Sequence, residues 1–452
     1  MTDLSNRDSF GSKFGVLAAA AGSAVGLGNI WRFPYVVGEN GGGAFLIIYL
    51  FFIIVIGIPV MLSEFTIGRK AHLNPVGAFK KIAPKSQWSL VGLMGVGAAF
   101  MILAFYSTIA GWTLEYVYGS ITNAFTDKTP DQLTVMFENF KSGTFRPLLW
   151  QLIFMGLTAW IVLAGVQKGI EKSSKVLMPI LLVIIIILAI RSVTLPGSKE
   201  GLAFLFNPDF SKINSGVIIK ALGQAAFSLS IGMGTLITYG SYIRKDNNLV
   251  KTAFQVSAAD TLIAILAGIA IFPAVFAFNL QPNAGEGLVF IVLPNIFQQM
   301  TGGYIFSLLF FVLLTVAALT SSISVLEVVV AYFVEQLKMT RKKATIIASV
   351  LISIIGIFCT LSWGVLKNVS LFDYNIFGIL EYIAANILLP VGAFLIVIFV
   401  GWTVKRKIVK DEISSDGLYK ANLFKIFMII IKFIAPIAIA LVFLNGIGLL
   451  KL

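Results

Sequence analysis

The chain carries one cysteine, Cys359, and one histidine, His72. A lone cysteine excludes a disulfide framework and a thiolate metal cluster. A single histidine in a basic loop leaves almost nothing for imidazole catalysis or histidine-based metal binding. Charge is scarce as well: 12% of the 452 residues are Asp, Glu, Lys or Arg, while 58% are hydrophobic. Such a chain belongs in a bilayer rather than in water. Its net charge of +13 would suit nucleic acid, but the basic residues lie in short loops between apolar runs, where the positive-inside bias accounts for them. Long hydrophilic stretches are also missing. The longest, around 124–146 and 402–420, are loop-sized, so residues 1–452 read as a single membrane domain without a soluble one. The polar opening MTDLSNRDSFGSKFG has no small-residue cleavage site and does not read as a cleaved signal peptide.

What the chain has is apolar runs, many of them near the roughly 20 residues a spanning helix needs. Hydropathy predicts eleven spans, at 14–37, 42–68, 89–123, 147–166, 174–194, 216–243, 249–278, 303–336, 342–362, 374–402 and 421–447. The expected fold is therefore an all-α polytopic membrane protein. Loops with Arg69, Lys70, Lys80, Lys81 and Lys85, with Lys168, Lys172 and Lys175, and with Lys338, Arg341, Lys342 and Lys343 fall on one side. Arg244, Lys245 and the Lys405–Lys410 cluster join them. This predicts a cell-membrane protein whose N-terminal segment, 1–13, is cytoplasmic and whose C-terminus is outside.

Two of the runs are interrupted. Span 1 contains GSAVGLGN and span 6 contains FSLSIGMGT, glycines among small and hydroxyl residues in mid-span. Glycine costs about 1 kcal/mol relative to alanine inside a helix, and irregular backbone at membrane depth survives only where it lines a protein cavity. Small-residue helix packing is the plainer explanation for either run alone. Both together, five spans apart, point to an inverted-repeat transporter, with 14–194 and 216–402 as repeats and 421–447 as an added helix. Opened backbone offers amides to an anion and carbonyls to a small cation. A zwitterionic amino acid with Na⁺ meets that description. Composition does not choose Na⁺ over H⁺, so a proton-coupled transporter of the same architecture is the alternative.

Three stretches, GSAVGLGNIWRFPYVVGENGGGAF, GQAAFSLSIGMGTLITYGSYIRKD and ALTSSISVLE, together resemble the neurotransmitter:sodium symporter family, in its bacterial amino-acid branch. Broken helices around a midplane site are the architecture this resemblance implies. The resemblance implies two coupling Na⁺ ions and no other cofactor. The first would be held by Ala24, Asn29, Ser228 and a span 7 residue together with the substrate carboxylate. Alignment from YIRKD puts Asp260 at that span 7 position, and alignment back from Pro273 puts Ala259 there; Asp260 is favoured because an intramembrane carboxylate needs a partner. Its charge would make chloride unnecessary. The second ion would take carbonyls of Gly22, Val25 and Ala317 with the hydroxyls of Thr320 and Ser321. The substrate would meet Ala24, Gly26, Leu27, Gly28 and Tyr106 with its carboxylate end, and Phe227, Ser228, Ser230 and Ser321 with its ammonium end. Its side chain would lie against Ile102, Phe227, Met233 and Val325, which favours large apolar or aromatic L-amino acids. Arg32 with Asp373 would form an outer gate, and Arg7 with Glu335, supported by Tyr242, an inner one. Glu64 and Glu327 are expected to be buried and hydrogen-bonded. No repeated filter motif suggests a channel, no paired catalytic motif suggests an enzyme, and the remaining partner is the bilayer, not nucleic acid.

Overall fold

The computed structural model describes residues 8–280 and 287–450. Apart from one short hairpin, Ser370–Leu371 with Tyr374–Asn375, the regular structure of these residues is helical. Nine of their helices are long and apolar enough to cross a membrane. They are Gly43–Ala71, Ser89–Ile121, Phe145–Leu163, Val166–Val193, Leu249–Ala277, Gly303–Glu335, Arg341–Leu361, Ile376–Thr403 and Phe424–Gly446, and they correspond to spans 2–5 and 7–11.

Span 1 is a bent pair, Lys13–Ala24 and Gly28–Glu39, meeting at 52°. Span 6 is split into Ser215–Ser228 and Thr235–Gly240, neither half long enough to cross alone. Polar caps fix where several helices start. Ser12 accepts from the Gly15 amide at the start of span 1, Asn214 from Val217 at span 6 and Asn248 from Lys251 at span 7, each satisfying an amide that the first helical turn leaves open.

Two boundaries differ from expectation. Span 5 begins at Val166, eight residues before 174. Hydropathy cuts it at Lys168, Glu171 and Lys172, but a π-helical turn over Val166–Glu171 carries the first two, the α-helix that follows starts at Lys172, and Glu171 pairs with Lys175 at 2.5 Å. The supposed loops 124–146 and 402–420 contain the helices Pro130–Ser142 and Arg406–Ser414. The first has a legible start, TPDQ, whose Thr129 and Gln132 form a reciprocal capping box.

The basic loops gather at one end of the bundle, and one of them is anchored by a buried ion pair. Arg69, closing span 2, meets Glu412 of the helix Arg406–Ser414 at 3.0 Å with both side chains fully buried. Lys245 meets the same carboxylate at 2.6 Å, and Arg69 also donates to the Asn247 carbonyl at 2.8 Å. Span 2 and the shorter half of span 6 pack with backbones almost touching. A Cβ on Gly68 would overlap the Ile237 carbonyl, and one on Gly240 would lie 3.0 Å from the Phe65 backbone.

Candidate functional site

The helix of span 1 stops at Ala24, where Val25 turns extended (φ −73°, ψ 111°). In an uninterrupted helix the amides of Gly26 and Leu27 would bond the carbonyls of Gly22 and Ser23. Here they are diverted. The Gly26 amide donates to Asn29 Oδ1 at 3.1 Å and the Leu27 amide to the Tyr106 hydroxyl at 3.3 Å. The Ser23 carbonyl instead accepts from the hydroxyls of Ser230 (3.0 Å) and Ser321 (2.9 Å). Gly26 has an ordinary φ but no space: an added Cβ would sit 2.6 Å from Ser321 Oγ and 3.1 Å from the Tyr106 hydroxyl.

Span 6 breaks for a different local reason. Ser230, Gly232 and Gly234 have φ of 55°, 86° and 77°, a region that costs side-chain-bearing residues about 1–2 kcal/mol. The freed Gly232 amide donates to Glu64 Oε1 of span 2 at 2.8 Å. Glu64 is fully buried; sequence alone flagged it as an intramembrane acid, and its partner is this opened segment.

The two breaks face each other. Asn29 Nδ2 lies 2.7 Å from Asp260 Oδ1 and 3.1 Å from Ser228 Oγ. Ser228 Oγ donates toward Asp260 Oδ2 at 2.9 Å. Asp260 is fully buried whereas Ala259 is partly exposed, and it stands eleven residues past Leu249, roughly 16 Å into its helix. The structure thus brings Asn29, Ser228 and Asp260 together. It adds Tyr49 of span 2, whose hydroxyl is 3.4 Å from Asp260 Oδ2 and 3.3 Å from Ser228 Oγ; sequence reading missed it because a tyrosine in an apolar run carries no separate signal. The oxygens of Ser228, Asp260 and Tyr49 suit a hard cation rather than a soft metal, while Asn29 Nδ2 is a hydrogen-bond donor to two of them.

Beside this cluster lies a cavity of about 50 Å³. Ala24, Gly26, Leu27, Gly28, Ile102, Tyr106, Phe227, Ser228, Ser230, Met233, Ser321 and Val325 all line it, as do Leu103 and Phe105. Space of that size holds only a few waters, so a bulky side chain enters only if Phe227 or Met233 moves. Phe227 also borders a second cavity of about 310 Å³ that Arg32 and Gln224 line, so it lines both.

A family model described as the sodium:neurotransmitter symporter family matches residues 7–141 and 132–451. The chain belongs to this family. The symporter is 42% identical over 440 residues to the sodium-dependent transporter YhdH of Bacillus subtilis, covering 97% of this chain and 98% of that one. It is 32% identical to the sodium-dependent serotonin transporter of Drosophila melanogaster over 72% of this chain and 59% of that protein. Among solved structures it is similar to MhsT in complex with L-phenylalanine, with a TM-score of 0.90 and 50% identity, covering 98% of this chain and all of that one. The symporter is therefore a sodium-dependent multi-pass membrane transporter, not an enzyme.

The other expected residues of the symporter fall as follows. Gly22 sits against Thr320, an added Cβ lying 3.3 Å from its side chain. The Thr320 hydroxyl lies 3.0 Å from the Ala317 carbonyl and 3.4 Å from that of Val25. The Ser321 hydroxyl turns to Ser23 rather than to these carbonyls.

Arg32 lies over the Phe227 ring, 4.2 Å from its centroid. It makes no ion pair with Asp373, which is exposed in the hairpin turn at φ 64°. Phe372 and Asp373 of that turn are both at positive φ and exposed, so the expected Arg32–Asp373 pair is not made in this structure.

Arg7 lies outside the described residues. Glu335 accepts from the Asn74 amide and from Asn74 Nδ2, both at 2.8 Å. The Tyr242 hydroxyl donates to Glu327 at 2.6 Å rather than to Glu335, and Arg341 pairs with Glu327 at 2.6 Å. These are the partners of Glu327 that sequence could not name.

Proposed function

We propose that the protein is a symporter that imports hydrophobic or aromatic L-amino acids with Na⁺ by alternating access, without needing chloride. The observation that carries this reading is the meeting of Asn29, Ser228 and Asp260 at the two helix breaks, beside a cavity lined by opened backbone and apolar side chains. The phenylalanine held by the similar MhsT supports an amino-acid substrate.

In this reading two Na⁺ ions bind, one at Ala24, Asn29, Ser228 and Asp260 and the other at Gly22, Val25, Ala317, Thr320 and Ser321. The substrate carboxylate meets the Gly26–Gly28 backbone and Tyr106, and adjoins the first ion. Each charge neutralises one that the other would face alone, so ion and substrate bind cooperatively. No acid stands in the first opened segment to hold an isolated amine, so the ligand brings its own carboxylate. Spans 1–5 and 6–10 form inverted repeats and span 11 is an addition. The basic end of the bundle faces the cytoplasm, with the C-terminus outside. Phe227 and Arg32 close the outer side, while Arg7, Glu335 and the Tyr242 region close the inner side.

Uptake of radiolabelled L-phenylalanine into proteoliposomes tests the reading. Accumulation should require an inward Na⁺ gradient and persist when chloride is replaced by gluconate. Equal accumulation under a pH gradient in Na⁺-free buffer would overturn sodium coupling in favour of protons.

A further inference from the structure

The start of span 1 is fastened to the start of span 5 by one carboxylate that the transport reading does not use. We infer that Glu171 is a positioning residue: it tethers the inner half of span 1, and its release lets that half leave the bundle. The inference rests on the alternating-access reading for its role in transport, but the tether itself can be tested without it.

Glu171 ends the π-helical turn Val166–Glu171, and only 4% of its side chain is exposed. Its Oε2 accepts from the Gly11 amide at 2.7 Å and its Oε1 from the Ser12 hydroxyl at 3.0 Å. Ser12 Oγ in turn accepts from the Gly15 amide at 3.0 Å, so the carboxylate holds the very residue that caps the helix. Lys175 Nζ, one turn farther along span 5, lies 2.5 Å from Oε1 and neutralises the charge. The position also suits a negative group, because a helix N-terminus carries partial positive charge. From the same turn, Gln167 Nε2 donates to the Ser9 carbonyl at 2.7 Å.

Sequence supplies a second mark of this contact. Gly15 lies inside the first turns of a helix, where glycine costs about 1 kcal/mol relative to alanine. Its backbone is ordinary and its reason is space: a Cβ there would overlap the Glu171 carboxylate. Glycine and carboxylate therefore fit each other, and replacing one displaces the other. The opposite flank is held by the Phe10 amide, which donates to the Tyr242 carbonyl at 3.1 Å, and by ring packing, with Phe10 edge-on to Tyr239 and Tyr242 at 5.6 and 5.9 Å.

Gly11 and Gly22 are separated by one continuous turn-and-helix of roughly 16 Å. Freeing the first therefore loosens the second, and with it the carbonyls proposed for the second Na⁺.

The test compares wild type, Glu171→Gln, Gly15→Ala, Glu171→Ala and the double variant Gly15→Ala/Glu171→Ala in lipid nanodiscs. Hydrogen–deuterium exchange over residues 9–16 is measured without any amino acid present. The midpoint of Na⁺-dependent thermal stabilisation is measured with NaCl alone against KCl. Glu171→Gln and Gly15→Ala should each speed exchange in 9–16 by about tenfold, the loss of charge-assisted hydrogen bonds. Both should raise the Na⁺ midpoint severalfold. Adding Gly15→Ala to Glu171→Ala should neither speed exchange nor raise the Na⁺ midpoint further, since the overlapping group is gone, and alanine's helix preference should slow exchange in 9–16 instead. Unaltered exchange in Glu171→Gln, or an equal effect of Gly15→Ala in both backgrounds, overturns the tether. A wild type that ignores Na⁺ sinks the transport reading instead, and exchange alone then decides the tether.

Discussion

The two broken helices reach the same outcome by opposite routes. In span 6 the backbone itself is unusual: Ser230, Gly232 and Gly234 occupy positive φ, and glycine is there for conformation. In span 1 the backbone at Gly26 is ordinary, and glycine is there because Ser321 and Tyr106 stand where a Cβ would go. One break is written into its own segment, and the other is imposed by neighbouring helices. Substitution should therefore damage span 6 through folding and span 1 through binding.

The largest effect is expected at Gly232. Its φ is 86°, and an added Cβ would overlap the Leu389 carbonyl of span 10. Gly232→Ala should cost about 2–5 kcal/mol, combining strain and overpacking, and should show as lost expression or a large fall in melting temperature. Gly26→Ala should leave melting within a few degrees yet weaken amino-acid binding by about 10–100-fold, a crowding cost of about 1–3 kcal/mol. Scintillation proximity binding measures the loss. If Gly26→Ala instead unfolds the protein as Gly232→Ala does, the contrast between the breaks is wrong.

Between the breaks, Asp260→Ala should weaken Na⁺-dependent binding by about tenfold or more, because Asn29 and Ser228 lose a buried charged acceptor. A binding midpoint in Na⁺ equal to that of wild type would remove Asp260 from the ion site. The smallest change is expected for Arg32→Gln, which loses the cation–π contact with Phe227, worth about 0.5–2 kcal/mol. It should speed ligand release by a fewfold and leave melting unchanged.

This contrast also explains what could be read before a structure was in hand. The helical membrane class, the positions of both breaks and the residues around the cavity were legible because apolar length, mid-span glycine and three dense motifs carry them. Asp260 against Ala259 was not: two alignments one residue apart give different answers, and only burial separates them. The exposure of Asp373 was not legible either, because nothing in LFDYN reveals that Phe372 and Asp373 adopt positive φ. Glu64 and Glu327 were visible as expensive residues, but their partners come from Gly232, Tyr242 and Arg341, far away along the chain. The early start of span 5 was hidden because hydropathy reads Glu171 and Lys175 as two charges, not as a pair. Local patterns announce elements, whereas long-range partners emerge only on packing.

The near-contact of Gly68 with Ile237 and of Gly240 with Phe65 has a mechanical consequence. Two backbones meshed this closely, at two points about one turn apart, have no side-chain cushion between them to absorb sliding or rolling. Span 2 and the short half of span 6 must therefore shift as one stiff rod, carrying the Arg69–Glu412 anchor with them. A dye on the helix Arg406–Ser414 would then act as a pointer for events at the opened segment, although it never touches the ligand.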